Sequence, residues 1–500
     1  MLDVGARLAH GPSERLIQAA FKREIDDQAE LFEAMGLVDL AHTLVMIEAG
    51  IVPRDAGRDL LAALLKLHER PADFTLDPSR GDLYTNREAW LATQTGASTW
   101  LGAGRARREA TTTALLIKVR AGLLGLAEAL ATTGKVITAR ARDFRSALLP
   151  DYTYLQSAQP TSFGHYLLGF AYPVLRDLHR VRALYGRVNL SPAGCGSTNG
   201  SRLPQDRDRL RELLGFDGLV IHARDAMWQA DLPIETAAVL TAVLINLDRL
   251  AEDLQIYATE EFALVELDDS HARASKIMPQ KKNPFALTHV RGVASMMIGT
   301  LAASAAAGRT PSGQPDNRLP LYGLIPRAIE DTQDAVGLMG EVVSFLTFNV
   351  QRGRARLDPG FALATDLAEV LVLESGLDFR QAHKLVGHLV RRHLTDGDLN
   401  RLTPEALASA AVKVLGQRVE LSQAALHDAL DPEAAVSARA TPGGAAPAAV
   451  DAMIVKCERA LAETDAWTSN CRRRLRIAED SLLRTTRAGA LGSEASNHSA

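Results

Sequence analysis

The feature that most constrains this chain is a helical stripe after Pro233. Val239, Val243, Leu247, Leu250 and Leu254 recur at spacings of four, four, three and four, while Asp248, Arg249, Glu252 and Asp253 occupy the other face. That period predicts an amphipathic helix of about 25 residues. Similar patterns run through Ala110 to Arg142, Ser162 to Tyr185 and, with smaller residues, Leu287 to Ala307. Alternating strand-like runs are nearly absent, and aromatics make up only 5%. The sequence therefore predicts an all-α fold in which long helices pack side by side as an elongated bundle.

Breaks in the helical pattern fall at Gly-Pro-Ser (11–13), Asp-Pro-Ser-Arg-Gly (77–81), the Gly-rich run 191–201, Pro-Ser-Gly-Gln-Pro (311–315) and Thr-Pro-Gly-Gly (441–444). They suggest an N-terminal helical region 1–108, a central long-helix bundle 109–355 and a C-terminal helical region 356–500 ending in a small, polar, flexible tail. Lys plus Arg (56) nearly balances Asp plus Glu (60), so a nucleic-acid or anionic-membrane partner is not expected. Cys195, Cys457 and Cys471 are too few and too scattered for a disulfide framework or zinc knuckle. With no basic and apolar leader after Met1-Leu2-Asp3, a cytoplasmic location is expected. The uncharged stretch Gly292 to Gly308 is rich in Ala, Gly, Ser and Thr and shorter than the roughly 20 residues a bilayer span needs. It is expected to be a buried helix in a bundle.

The segment richest in chemistry is Ala274-Ser275-Lys276-Ile277-Met278-Pro279-Gln280-Lys281-Lys282-Asn283-Pro284. Its two prolines prevent continuous helix, so it reads as a loop that gathers lysines and an amide beside a serine. Such a loop can stabilise an oxyanion, and it can equally be a solvated basic turn between helices. Its wording resembles the Gly-Ser-Ser-x-Met-Pro-x-Lys-x-Asn signature of the argininosuccinate lyase, fumarase and aspartase superfamily, and the argininosuccinate lyase branch in particular. Asp39-Leu-Ala-His-Thr, Thr153-Tyr154-Leu155-Gln156-Ser157-Ala158-Gln159-Pro160, Glu261-Phe-Ala-Leu-Val-Glu-Leu and Leu430-Asp-Pro-Glu-Ala-Ala-Val are similar to further segments of that branch.

The resemblance implies a fumarase/aspartase-type homotetramer with a central multi-helix core, active sites assembled from three chains, and no metal or organic cofactor. It implies reversible elimination of fumarate from an N-succinyl-type small molecule, with Ser275 as the base and Lys281 and Asn283 holding the carboxylate on which charge develops. Arg107, Thr153 and Gln159 are implied as substrate contacts. Lys276, in place of the second serine of the signature, is expected to anchor the loop through a salt bridge or to touch substrate.

The departures from the pattern matter as much. Tyr154 stands where the branch has histidine. Tyrosine, with a reference pKa of about 10, some 3.5 units above histidine, is a poorer proton donor. Tyr154 is therefore expected either to hydrogen-bond in the proton-transfer network or to pack at the pocket wall. Arg108 and Glu109 replace Asn and Asp of Gly-Arg-Ser-Arg-Asn-Asp. A guanidinium in place of an amide suggests an extra negative charge on the substrate, or a salt bridge to Glu109 or Glu88. Glu24 stands where the branch has a substrate-binding serine, and Ser312-Gly313-Gln314-Pro315-Asp316-Asn317-Arg318 replaces a run that helps hold arginine; Gln314 is the substrate-binding candidate there. His165, His222, His271 and His289 lack metal-ligand spacing and are expected to be structural. Together these readings predict a carbon–nitrogen lyase whose substrate is not argininosuccinate. The alternatives are an authentic argininosuccinate lyase and a non-catalytic binding homologue.

Overall fold

The stripe after Pro233 lies on a helix running Asp231–Tyr257, and its five apolar residues are 0–8% exposed. A computed structural model describes residues 8–313, 318–395 and 397–492 of the chain. The longer helices in chain order are α1 (Phe32–Glu48), α2 (Arg54–His68), α3 (Leu83–Gln94), α4 (Arg107–Asp143), α5 (Phe163–Val188), α6 (Asp231–Tyr257), α7 (Phe285–Gly308) and α8 (Leu321–Phe345). They are followed by α9 (Ala364–Ser375), α10 (Phe379–His393), α11 (Pro404–Leu415) and α12 (Pro447–Leu491).

Helix α4 packs on α5, α8 and α12, and α6 packs on α5, α7 and α8. The seam is made of branched aliphatics such as Leu123, Leu130, Val181, Leu240 and Val336, each fully enclosed. Each such side chain contributes about 1.5–3 kcal/mol through burial, which is what keeps helices of this length side by side. One apolar core joins the N-terminal helices, the long helices and α12; a second is confined to Leu363–Ala435 and is built on α9, α10 and α11. Helix α12 thus returns to the main core through Val450, Ile454, Cys457 and Leu461, although the sequence pattern grouped residues 356–500 together. The three cysteines are free and buried.

Helix α7 departs from expectation. By length and composition alone it is apolar enough to cross a membrane, and only 22% of its most apolar window is buried by the chain itself. Leu287, Val290, Ala294 and Met297 face the core, whereas Met296 is 74% and Ile298 55% exposed. The expected buried helix is therefore covered on one side only.

The strand content that the sequence did not announce consists, among the described residues, of short two-stranded pieces. The longest is an antiparallel hairpin of β1 (Leu148–Thr153) and β2 (Gln156–Ser162), pairing Leu148 with Ser162 and Thr153 with Gln156. Pro150 and Pro160 face each other in this ladder, and its register shifts between Pro150 and Tyr152, which erases the alternation by which strands are recognised.

Candidate active site

The signature segment folds as a miniature hairpin. Arg273 and Ala274 pair with Asn283 and Lys282, and the Ser275 amide donates to the Lys281 carbonyl at 3.3 Å, closing the loop between them. The Met278 amide donates to Ser275 Oγ at 3.0 Å, and the Ile277 amide to the same oxygen at 3.4 Å. Two N–H groups directed at one hydroxyl oxygen stabilise negative charge on it. Asn283 Nδ2 donates to the Arg273 carbonyl at 2.8 Å, fixing the amide at the loop's base. The anchoring salt bridge belongs to Lys282, which reaches Asp269 at 2.7 Å and Glu266 at 3.1 Å. Lys276 and Lys281 are exposed, and Lys276 forms no ion pair among the described residues.

Thr153 ends β1, and the turn to β2 is made by Tyr154 and Leu155 at φ 55° and 57°. Two consecutive left-handed residues form the tight turn that suits a two-residue hairpin, a geometry usually given to Asn-Gly. With side chains larger than glycine it costs about 1–2 kcal/mol per residue. Tyr154 is 99% exposed, so nothing among the described residues supplies the pocket wall on which it was expected to pack. Gln159 is exposed farther along β2, in a cleft of about 430 Å³ shared with His165 and Arg439. His165 ties the hairpin down: Nδ1 meets Thr161 Oγ1 at 2.9 Å and Nε2 meets the Gly443 carbonyl at 3.0 Å.

Arg107 and Arg108 open α4. The approach to that helix is set by a buried cluster in which Asp39 accepts from Arg87 Nε at 2.9 Å and from Arg105 Nη2 at 2.8 Å. Arg108 Nη1 lies 2.7 Å from Glu24 Oε1 and 3.8 Å from Asp82, and Arg107 Nη1 lies 3.6 Å from Asp82. The Arg108 charge is thus answered within the chain by Glu24, itself one of the departures from the branch pattern, so the substrate need not bring an additional carboxylate. Asp82 is held in place by accepting from the Thr85 amide at the start of α3. Neither the Glu24–Arg108 pairing nor the place of Asp82 was foreseen; the one local signal was the helix-capping context of Asp82.

Glu109, next on α4, is buried beneath the Gly-rich loop and accepts from the Gly194 amide at 2.7 Å. Burial pushes its carboxyl up to about 7, against the opposing pull of the Gly194 amide and Arg105. Glycines 194, 196 and 200 hold positive φ in that loop, and a Cβ on Gly196 would come within 2.7 Å of the Gly200 carbonyl oxygen, so the run is a shaped wall. Among the described residues no group of three or more His, Cys, Asp or Glu side chains is placed to hold a metal ion. Gln314 lies outside the described residues.

The candidate residues do not meet in one cavity of the single chain. Arg107 and Arg108 line a cavity of about 1010 Å³, Lys282 and Pro284 border another of about 620 Å³, and Gln159 lies on the third. The first of these is bounded by Phe21 and Glu24, by Arg107 and Arg108, and by Leu319 and Pro320, so two departures from the branch pattern, Glu24 and Arg108, meet at one space, while Ser312 and Arg318 of the third border a separate cleft of about 400 Å³.

Comparison with known proteins gives this geometry a context. A family described as Lyase matches residues 20–299, and one described as Argininosuccinate lyase C-terminal matches residues 361–437. The argininosuccinate lyase of Methanosarcina acetivorans is 34% identical over 447 residues, 88% of this chain and 89% of the relative. That of Methanococcoides burtonii is 33% identical over 454 residues, 90% of this chain and 91% of the relative. Among solved structures, EDDS lyase in complex with formate superposes with a TM-score of 0.86 at 29% identity, over 97% of this chain and 100% of that one. An EDDS lyase variant with bound fumarate superposes at 0.85 and 28% identity, over 98% of each chain. The signature hairpin, the helical frame and these matches along nearly the whole sequence agree: the chain belongs to the argininosuccinate lyase branch of the fumarase/aspartase superfamily and is a lyase.

Proposed function

We propose that this lyase cleaves a carbon–nitrogen bond, reversibly eliminating fumarate from an N-succinyl compound other than argininosuccinate. The observation that carries this is the meeting of two departures at one cavity: Glu24 and Arg108 both differ from the branch pattern and pair with each other there, whereas the Ser275 hairpin keeps the branch wording from Met278 to Pro284. Elimination needs a base for the proton on the carbon beside one carboxylate, donors for the enediolate that forms there, and a proton for the departing nitrogen. Ser275 takes the first role, aided by the two amides on Oγ. Lys281 and Asn283 take the second. As the carbon–nitrogen bond breaks, its electron pair goes to nitrogen, which takes a proton from Tyr154 or from water, and the new double bond completes fumarate.

The working form in this reading is a cytoplasmic homotetramer without a metal or organic cofactor. Support comes from the dispersal of site residues over separate clefts, the uncovered face of α7 and the fully exposed Tyr154. Each is what a site completed by neighbouring copies requires. A second reading, authentic argininosuccinate lyase, is favoured by relatives of that name at 33–34% identity over about 90% of the chain.

Fumarate absorbance during incubation with argininosuccinate, EDDS and other N-succinyl amines tests both. Release from a member other than argininosuccinate, at the higher kcat/KM, is expected; preference for argininosuccinate establishes the second reading. No release from any member, and no addition of any amine to fumarate, sinks both. Light scattering is expected to give four times the 53.9 kDa chain mass, and an active species of one chain mass overturns the assembly.

A further inference from the structure

The cavity beneath Arg108 has walls of two kinds. On its charged side Glu24 is matched to Arg108 at 2.7 Å and Asp27 to Arg327 at 3.0 Å, while Asp82, 3.6 Å from Arg107, is enclosed, with its Oδ2 shut off from the cavity and without a hydrogen-bond partner among the described residues. A leaving group carrying a guanidinium or second ammonium would find two of these carboxylates occupied and the third enclosed, and binding it would strip an arginine of its partner or open the wall around Asp82. Arg107 remains about half exposed at the cavity and can meet a carboxylate of a succinyl group.

The other side is apolar and built from small residues at helical spacing. Leu16, Ala19 and Ala20 recur at i, i+3 and i+4 on the N-terminal helical segment, and Ala89 and Ala92 recur at i and i+3 on α3. Each set lines the same cavity, with Leu319 beside them. Alanine presents apolar surface while leaving width, and the space of about 1010 Å³ is large enough for an arene or a branched alkyl group. Resting on the lyase reading above, we infer that the leaving amine is a neutral-bodied one, with an aryl or alkyl group seated against the alanine faces of the N-terminal helical segment and α3 and no second cationic group.

Amine addition to fumarate by the full-length protein tests this, using methylamine, n-hexylamine, benzylamine, arginine and 1,4-diaminobutane, with product read by chromatography. Benzylamine and hexylamine are expected to exceed arginine and diaminobutane at least tenfold in kcat/KM. Filling the apolar wall with Ala89→Trp is expected to lower the benzylamine-to-methylamine ratio about tenfold, and Ala20→Leu, on an exposed helical position, to shift the same ratio in the same direction. Preference for arginine or diaminobutane overturns this inference alone, as does an unchanged ratio in a folded Ala20→Leu protein. Failure of all five amines, together with no fumarate from any N-succinyl compound, overturns instead the lyase reading beneath it.

Discussion

The hairpin that carries Ser275 is exposed and held by bonds between residues at most 16 apart, whereas the cavity beneath Arg108 joins Glu24 to a partner 84 residues away and Asp27 to one 300 residues away. The hairpin keeps the wording of its branch from Met278 to Pro284, and the cavity departs from it at Glu24 and Arg108. The contrast separates two demands on an elimination catalyst. Proton removal and enediolate stabilisation act on the succinyl part common to all substrates, so a single local loop can serve them. Recognition of the leaving group differs between substrates and is distributed over segments that only the fold brings together.

The largest effect that can break this comparison is at the hairpin. Ser275→Ala is expected to lower turnover by about 100- to 10,000-fold while leaving the thermal midpoint within about 2 °C. More than a tenth of the original turnover would remove Ser275 as the base. Lys281→Met should follow with a loss of about 100- to 1000-fold, concentrated in kcat because the enediolate charge is greatest in the transition state.

At the cavity, Glu24→Ser and Arg108→Asn are each expected to raise KM by about 10- to 100-fold, since either change takes the 2.7 Å ion-pair contact from a largely enclosed charge. The double variant should be milder than the product of the two, with a coupling of about 1–3 kcal/mol in a double-mutant cycle. Strict additivity would mean that the pair does not act as a unit and would dissolve the cavity as one recognition element.

Glu109 sharpens the comparison through pH. Its folded-state carboxyl is raised from 4.5 to about 7 by burial, so between these values the folded protein keeps a proton that the unfolded chain has lost. Stability contributed by this group is therefore present below about pH 4.5 and falls as pH rises toward 7. Glu109→Gln should flatten that part of the midpoint-against-pH curve. An unchanged slope would mean that the carboxyl is ionised beneath the Gly-rich loop throughout.

The smallest expected effect is at the hairpin tip. Histidine tolerates positive φ better than most side chains, so Tyr154→His should leave the midpoint unchanged within about 2 °C while depressing turnover of the preferred substrate by less than about tenfold. A gain in argininosuccinate cleavage would instead tie Tyr154 to re-specialisation by itself.

Much of this protein was legible in its residues. The 3.6-residue period of Val239 to Leu254 depends on neighbours within a turn or two, and it determined that a long helix forms and which face it buries. The Met278-to-Pro284 wording pointed to the superfamily for the same reason: the loop is a local structure closed by its own backbone. Sequence alone also marked Glu24 and Arg108 as departures, but as separate ones. Only the tertiary structure decided that they answer each other, that Asp82 faces both arginines, that α12 returns to the main core, and that α7 leaves Met296 and Ile298 uncovered. The physical reason is range. Hydrogen bonding and helical burial faces follow from residues a few positions apart, while the pairing of Glu24 with Arg108 depends on where two helical segments cross, which no local pattern encodes.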